Sequence, residues 1–147
     1  MNRVPHDAEM NVEDVSPFVF GLMIGNHVRL VGDGRELCLS GLFCLKSMVV
    51  GIESLYIVEW IIRDMPRLES LRFSGASSIF SYTKSGLQIR NCSALKTLWI
   101  GDYLFYKGDH FDLHYLPNLE TVTIGNHVGF SETDFISFSR TILQLNN

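Results

Sequence analysis

Residues 94–103 read ALKTLWIGDY and residues 118–127 read NLETVTIGNH. The same apolar ladder ends at Ile24, Val50, Phe73, Ile100 and Ile124. Successive endings are spaced by about 25 residues, inside the range of solenoid repeats. Six positions in each full turn are apolar: the closing residue and those 2, 5, 8, 11 and 13 before it. The turn closing at Val50 uses Leu37, Leu39, Leu42, Leu45 and Met48. Trp60, Ile62, Met65, Leu68 and Leu71 precede Phe73, and Leu87, Ile89, Cys92, Leu95 and Leu98 precede Ile100. Phe111, Leu113, Leu116, Leu119 and Val122 precede Ile124. With 46% apolar residues overall, 24 filled positions out of 24 have a chance of roughly 10⁻⁸.

The spacing describes a shape. Residues two apart share one side of a strand, so each turn is predicted to carry two short strands joined by three-residue steps. No single turn can bury its own inward side chains, so neighbouring turns must stack. Gly51, Gly101 and Gly125 follow three closing residues directly and Gly75 follows a fourth by one. They are expected to turn the chain with positive φ.

The segment LPNLETVTIGN (116–126) resembles a leucine-rich repeat, through Leu116, Leu119, Val122, Ile124 and then Asn126. NCSALKTLWIGDYLF (91–105) is similar, and the likeness covers about residues 18–130. The repeats are irregular, at roughly 23–27 residues each. Asn126 lies two residues past the closing position, where the family pattern has three, and Ile52 and Gly75 hold its place in two other turns. The resemblance implies a curved, mainly β solenoid that binds proteins, without catalysis or a cofactor.

The pattern fails at both ends. Asn11, Glu13 and Ser16 fill apolar slots before Ile24, so the first of about five turns is partial and residues 1–17 are expected to be a tail or cap. Residues 131–147 are expected to be a cap or a truncated repeat. Phe135, Phe138, Ile142 and Leu145 are spaced as on one helix face, and Ser131 with Asp134 resembles a capping box. Together they predict a capping helix over 131–145.

Side chains one and three residues before each closing position should point outward. The first row is Met23, Val49, Arg72, Trp99 and Thr123. The second includes Ser70, Thr97 and Thr121. Neighbouring turns stack at about 4.8 Å, so these residues form a column. Arg beside Trp is a combination enriched at binding hot spots. The column is the expected binding surface for a protein partner, and self-association through uncovered end turns is the alternative. Asn26, His27, Asp102, Tyr103, Asn126 and His127 read as turn formers.

The stretch DHFDLH (109–114) places His110, Asp112 and His114 on one side of a strand. Two imidazoles and a carboxylate can ligate a divalent metal, but a solvated strand face accounts for the same residues, and no metal is assigned. No nucleophile sits in a G-x-S-x-G elbow, and the glycine-rich stretches lack the Lys-Ser/Thr of a phosphate loop. No enzyme activity is expected. A net charge of −4 argues against nucleic-acid or anionic-membrane binding. The polar N-terminus lacks a signal-peptide core. The three cysteines, Cys38, Cys44 and Cys92, are too few and odd for a disulfide framework. The expected compartment is the cytoplasm.

Overall fold

The computed structural model describes residues 1–31, 36–54, 59–75, 86–104, 111–126, 128 and 142–145. Among the described residues the chain winds as a parallel β solenoid of about four turns with almost no helix. One sheet has seven strands: β1 (Asn2–Val4), β3 (Gly21–Ile24), β6 (Ser47–Val50), β8 (Ser70–Phe73), β10 (Thr97–Ile100), β12 (Thr121–Ile124) and β13 (Ile142–Leu145). They pair in this order, all parallel and in register, with Val4, Ile24, Val50, Phe73, Ile100, Ile124 and Leu145 level with one another. A second parallel sheet holds β5 (Glu36–Ser40), β7 (Glu59–Arg63), β9 (Gly86–Arg90) and β11 (Phe111–His114). A short pair, β2 (Glu9–Met10) with β4 (Arg29–Leu30), and one 3-10 turn (Val12–Asp14) occupy the N-terminal end.

The apolar slots account for the interior. Of the 24 predicted positions, 23 are buried, and only Leu113, near the C-terminal end, is half-buried. Leu45, Leu68, Leu95 and Leu119 stand at equivalent places in consecutive turns. Each backbone N–H donates to the carbonyl three residues earlier, on Leu42, Met65, Cys92 and Leu116, at 3.0–3.2 Å. That repeated bend explains the three-residue step between the two sheets. The next residue of each turn bonds across to its neighbour: Glu69 to Lys46, Lys96 to Glu69 and Glu120 to Lys96, at 2.8–2.9 Å. Within one turn Trp60 meets Phe73 edge to face, with ring centroids 5.0 Å apart, so the interior is filled from sheet to sheet.

The glycines mostly do a different job from the one expected. Of the four, Gly75 alone has positive φ, at 105°. A Cβ on Gly51 would lie 2.4 Å from the Gly25 carbonyl oxygen, and one on Gly101 would lie 2.5 Å from that of Ser74. At these places the chain passes too close to the preceding turn's backbone for a side chain, and Ser74 is the exception among the residues that follow a closing strand. The other left-handed positions lie elsewhere and mostly without glycine. Asp7, His27, Glu53 and Tyr103 adopt φ of 53–59° three residues past the closing position. Gly41, Asp64, Asn91 and Tyr115 do so, at 55–72°, directly after each strand of the smaller sheet. Each full turn therefore has two corners.

Both chain ends add rungs that the repeat did not announce. The intervals from Val4 to Ile24 and from Ile124 to Leu145 are shorter than any within the array. The N-terminal segment, expected to be a tail or cap, contributes β1 and β2. Residues 142–145, expected to end a capping helix, are instead a strand bonded to β12. Leu145 belongs to the helical spacing, yet the stretch ILQL also reads as a strand by Leu143 and Leu145 two apart, and β12 offers an unsatisfied backbone edge that a strand can pair and a helix cannot. Residues 131–141 of the expected helix lie outside the described residues.

Two substitutions test this packing. Leu68→Ala, at a fully buried position, is expected to lower stability by about 2–5 kcal/mol in urea unfolding, against about 0.5 kcal/mol or less for the exposed Thr97→Ala. Tyr115 is 72% exposed and left-handed with φ of 56°. Tyr115→Gly should remove that strain and raise stability by about 0.5–1 kcal/mol.

Candidate functional site: the outward column of the seven-stranded sheet

Because inward slots alternate with outward ones, β3, β6, β8, β10 and β12 aim one set of side chains at solvent. Register places Met23, Val49, Arg72, Trp99 and Thr123 level in successive strands. Ser47, Ser70, Thr97 and Thr121 form the parallel row two residues earlier. Arg72 and Thr97 are exposed, while Met23, Val49, Ser70, Trp99, Thr121 and Thr123 are half-buried. All eight predicted site residues thus fall on one face. The column reads apolar at Met23 and Val49, cationic and aromatic at Arg72 and Trp99, and hydroxyl-bearing along its flank.

Its centre is a stacked pair. The Arg72 guanidinium carbon lies 3.8 Å from the Trp99 ring centroid, close enough for a cation–π contact. Stacking uses the flat face of the guanidinium and leaves its N–H donors in the plane. Arg72 makes no ion pair among the described residues. Those donors match a carboxylate, and the exposed side of the pair offers apolar area beside them.

The opposite sheet is less available. On its outward side the Arg90 Nε donates to Asp112 Oδ2 at 2.9 Å, and Arg90 Nη2 donates to the same oxygen. Gln88 donates to Glu59. Asp112, one of three candidate metal ligands, is therefore already neutralised by an arginine. His114 packs edge to face on Tyr115, centroids 5.2 Å apart, and His110 lies outside the described residues. Among the described residues no cluster of three His, Cys, Asp or Glu is arranged to hold a metal.

The turn residues after the closing strand bind the coil to itself. His6 Nδ1 accepts from the Asn26 N–H at 2.7 Å, Asn26 Oδ1 accepts from the Ile52 N–H at 2.9 Å, and Asp102 Oδ1 accepts from the Asn126 N–H at 2.7 Å. This is a ladder of side-chain acceptors two residues past the closing position. It breaks at Ile52 and Gly75, which carry no acceptor. One residue further, His27 sits 3.4 Å from both Asp7 and Glu53, beside a shallow cleft of about 230 Å³. The group therefore links three successive turns. Predicted turn former His127 is outside the described residues. Sequence reasoning read Asn26, Asp102 and Asn126 as turn formers but missed His6 and the bonding from one turn to the next, and it missed the Arg90–Asp112 pair. Aligning residues by their distance from the closing position brings His6, Asn26, Asp102 and Asn126 into one column and would have found the first.

Fold and surface together define a parallel β solenoid with one ordered amphipathic column. No known protein family matches the chain, and no curated protein or solved structure does so either. No helix among the described residues is long and apolar enough to cross a membrane.

The thiols divide by burial. Cys92 fills an inward slot and is fully buried. Desolvation pushes its pKa up to about 11, and the nearby Asp64 carboxylate adds to this against a backbone hydrogen bond from Met65. Only the thiolate alkylates. Iodoacetamide at pH 8 is expected to label half-buried Cys38 and Cys44 at least about 10²-fold faster than Cys92, with Cys92 reacting only on unfolding. Mass spectrometry of time points checks this, and equal labelling of all three would contradict the inward placement.

Proposed function

We propose that this protein is a non-catalytic interaction module, and that it binds a protein partner on the outward column of the seven-stranded sheet. The observation that carries the reading is the exposed Arg72 stacked on Trp99, flanked by Met23 and Val49 on one side and by Thr123 on the other. Aromatic and arginine anchors beside apolar surface are the features that dominate protein interfaces. The in-plane donors of Arg72 favour a partner that presents a carboxylate next to an apolar side chain. The likeness of the repeats to leucine-rich repeats, with their protein-binding strand face, supports the same reading. The three free cysteines support a reducing compartment, the cytoplasm.

A second reading rests on a separate observation. The long sheet ends on β1 and β13, and edge strands pair readily with other chains. Self-association end to end would then be the function. Sedimentation velocity across a concentration series separates the two, since a monomer at all concentrations removes this second reading.

The test of the first reading is quantitative. Partners captured from cells by the intact chain are titrated against Trp99→Ala, Arg72→Ala and, on the other sheet, Arg63→Ala. Loss of a hot-spot residue costs about 2 kcal/mol or more, roughly 30-fold in Kd. Trp99→Ala and Arg72→Ala should each weaken binding to that degree and Arg63→Ala should change it less than twofold. Unchanged binding by both column variants would overturn the proposal.

A further inference from the structure

The two sheets are unequal at the N-terminal end. In the seven-stranded sheet, β6 is preceded by two further strands, β3 and β1. In the four-stranded sheet β5, which belongs to the same turn as β6, is the outermost strand. The residues that by register would supply the missing rung are 10–14. Met10 ends the short strand β2, paired with β4 and not with β5, and the rest form the 3-10 turn Val12–Asp14, entered through Asn11, whose side chain accepts from the Glu13 N–H. The backbone bonds of this segment close on itself, Asp14 to Asn11 and Val15 to Val12, both at 3.1 Å. Among the described residues, none crosses from 11–17 to β5.

A cleft of about 270 Å³ remains between them, with Val12, Glu13 and Val15 on one wall and Cys38, Ser40 and Leu42 on the other. The orientation of the β5 backbone follows from its neighbours. In the next turns the Asp64 N–H bonds to the Arg90 carbonyl and the Asn91 N–H to the His114 carbonyl, so the last residue of each strand in this sheet turns its carbonyl toward the preceding turn. Ser40 is the equivalent residue of β5. Backbone groups alternate sides along a strand, so Cys38 and Ser40 present their N–H and C=O groups to the cleft, where no strand pairs with them. Unpaired strand edges of this kind accept an extended peptide as an added strand. Among the described residues Glu13 is the one charged residue lining the cleft, Asp14 follows it, and Glu36 stands exposed at the start of β5.

We infer that the free edge of β5 is a docking site for an extended peptide carrying basic side chains, which adds as a parallel strand in place of the missing rung. Its backbone pairs with Cys38 and Ser40, an apolar residue lies against half-buried Val12, and a lysine or arginine meets Glu13. This site is on the other sheet from the Arg72–Trp99 column and stands or falls independently of it.

The probe is a short capped peptide of alternating lysine and valine, set against its glutamate–valine twin. Calorimetry measures affinity, and amide hydrogen exchange of the intact protein locates the contact. The lysine peptide should bind at least tenfold more tightly than the glutamate peptide and slow exchange at Cys38 and Ser40. Ser40→Pro removes one N–H on the cleft side without touching the β7 ladder and should weaken binding at least tenfold. Glu13→Lys, in an exposed turn, should reverse the preference between the peptides, and it carries the test if Ser40→Pro disturbs folding. Absence of binding, or binding without new protection in β5, would overturn the inference. So would concentration-dependent protection of β5 in the peptide-free protein, which would assign the edge to a second copy of the chain.

Discussion

The structure depends on how closely successive turns can lie. The N–H of Gly25, Gly51, Ser74, Gly101 and Gly125 each donates to the closing residue of the turn before, at 2.7–2.8 Å. At four of these five places the residue is glycine, and a methyl group there would collide with backbone atoms of the preceding turn. Close stacking fixes register, and register fixes which side chains face inward. Once the turns are level, Leu45, Leu68, Leu95 and Leu119 have no place to go but one internal row. A slip of one residue would expose them all.

The outward chemistry is a consequence of the same stacking. Arg72 and Trp99 are a full turn apart in sequence and become neighbours only because β8 and β10 pair level. Polar groups at the corners hold the coil together: His6, Asn26 and Asp102 satisfy backbone donors of the following turn, and His27 joins three turns. Arg90 and Asp112 do so on the smaller sheet. Among the described residues the arginine and flanking hydroxyls of the column on the seven-stranded sheet are not committed to such staples. The strain accepted at left-handed Asp64, Asn91 and Tyr115 comes from turning the chain out of the smaller sheet once in each turn, and it is offset by burial of the slots on either side.

Much of this was legible in the sequence, because a repeated core leaves a repeated apolar pattern. The six slots per turn, the two strands, the inward Cys92 and the outward Arg72 and Trp99 all follow from spacing alone. The ends were not legible. β1 and β13 arrive after shortened intervals, and Asn2 stands where an apolar residue was expected, so the template cannot see them. The corners were hidden for another reason. Left-handed conformation is carried here mostly by Asp, His, Glu, Asn and Tyr, and the acceptor ladder by His, Asn and Asp, so each role is shared by residues with no common letter. Glycine directly after the closing strand was visible, but its cause was misread: at Gly51, Gly101 and Gly125 it serves close approach and not positive φ.

The claim that the chain is a parallel, in-register coil is tested most directly by nuclear Overhauser contacts between backbone protons of neighbouring strands. The account predicts an unbroken series linking Val50, Phe73, Ile100 and Ile124 through the Hα-to-amide contacts of parallel pairing. Close Hα–Hα contacts between β6 and β8 or between β8 and β10 would mean antiparallel strands. They would contradict the stacking on which the core, the column and the free edge of β5 all rest.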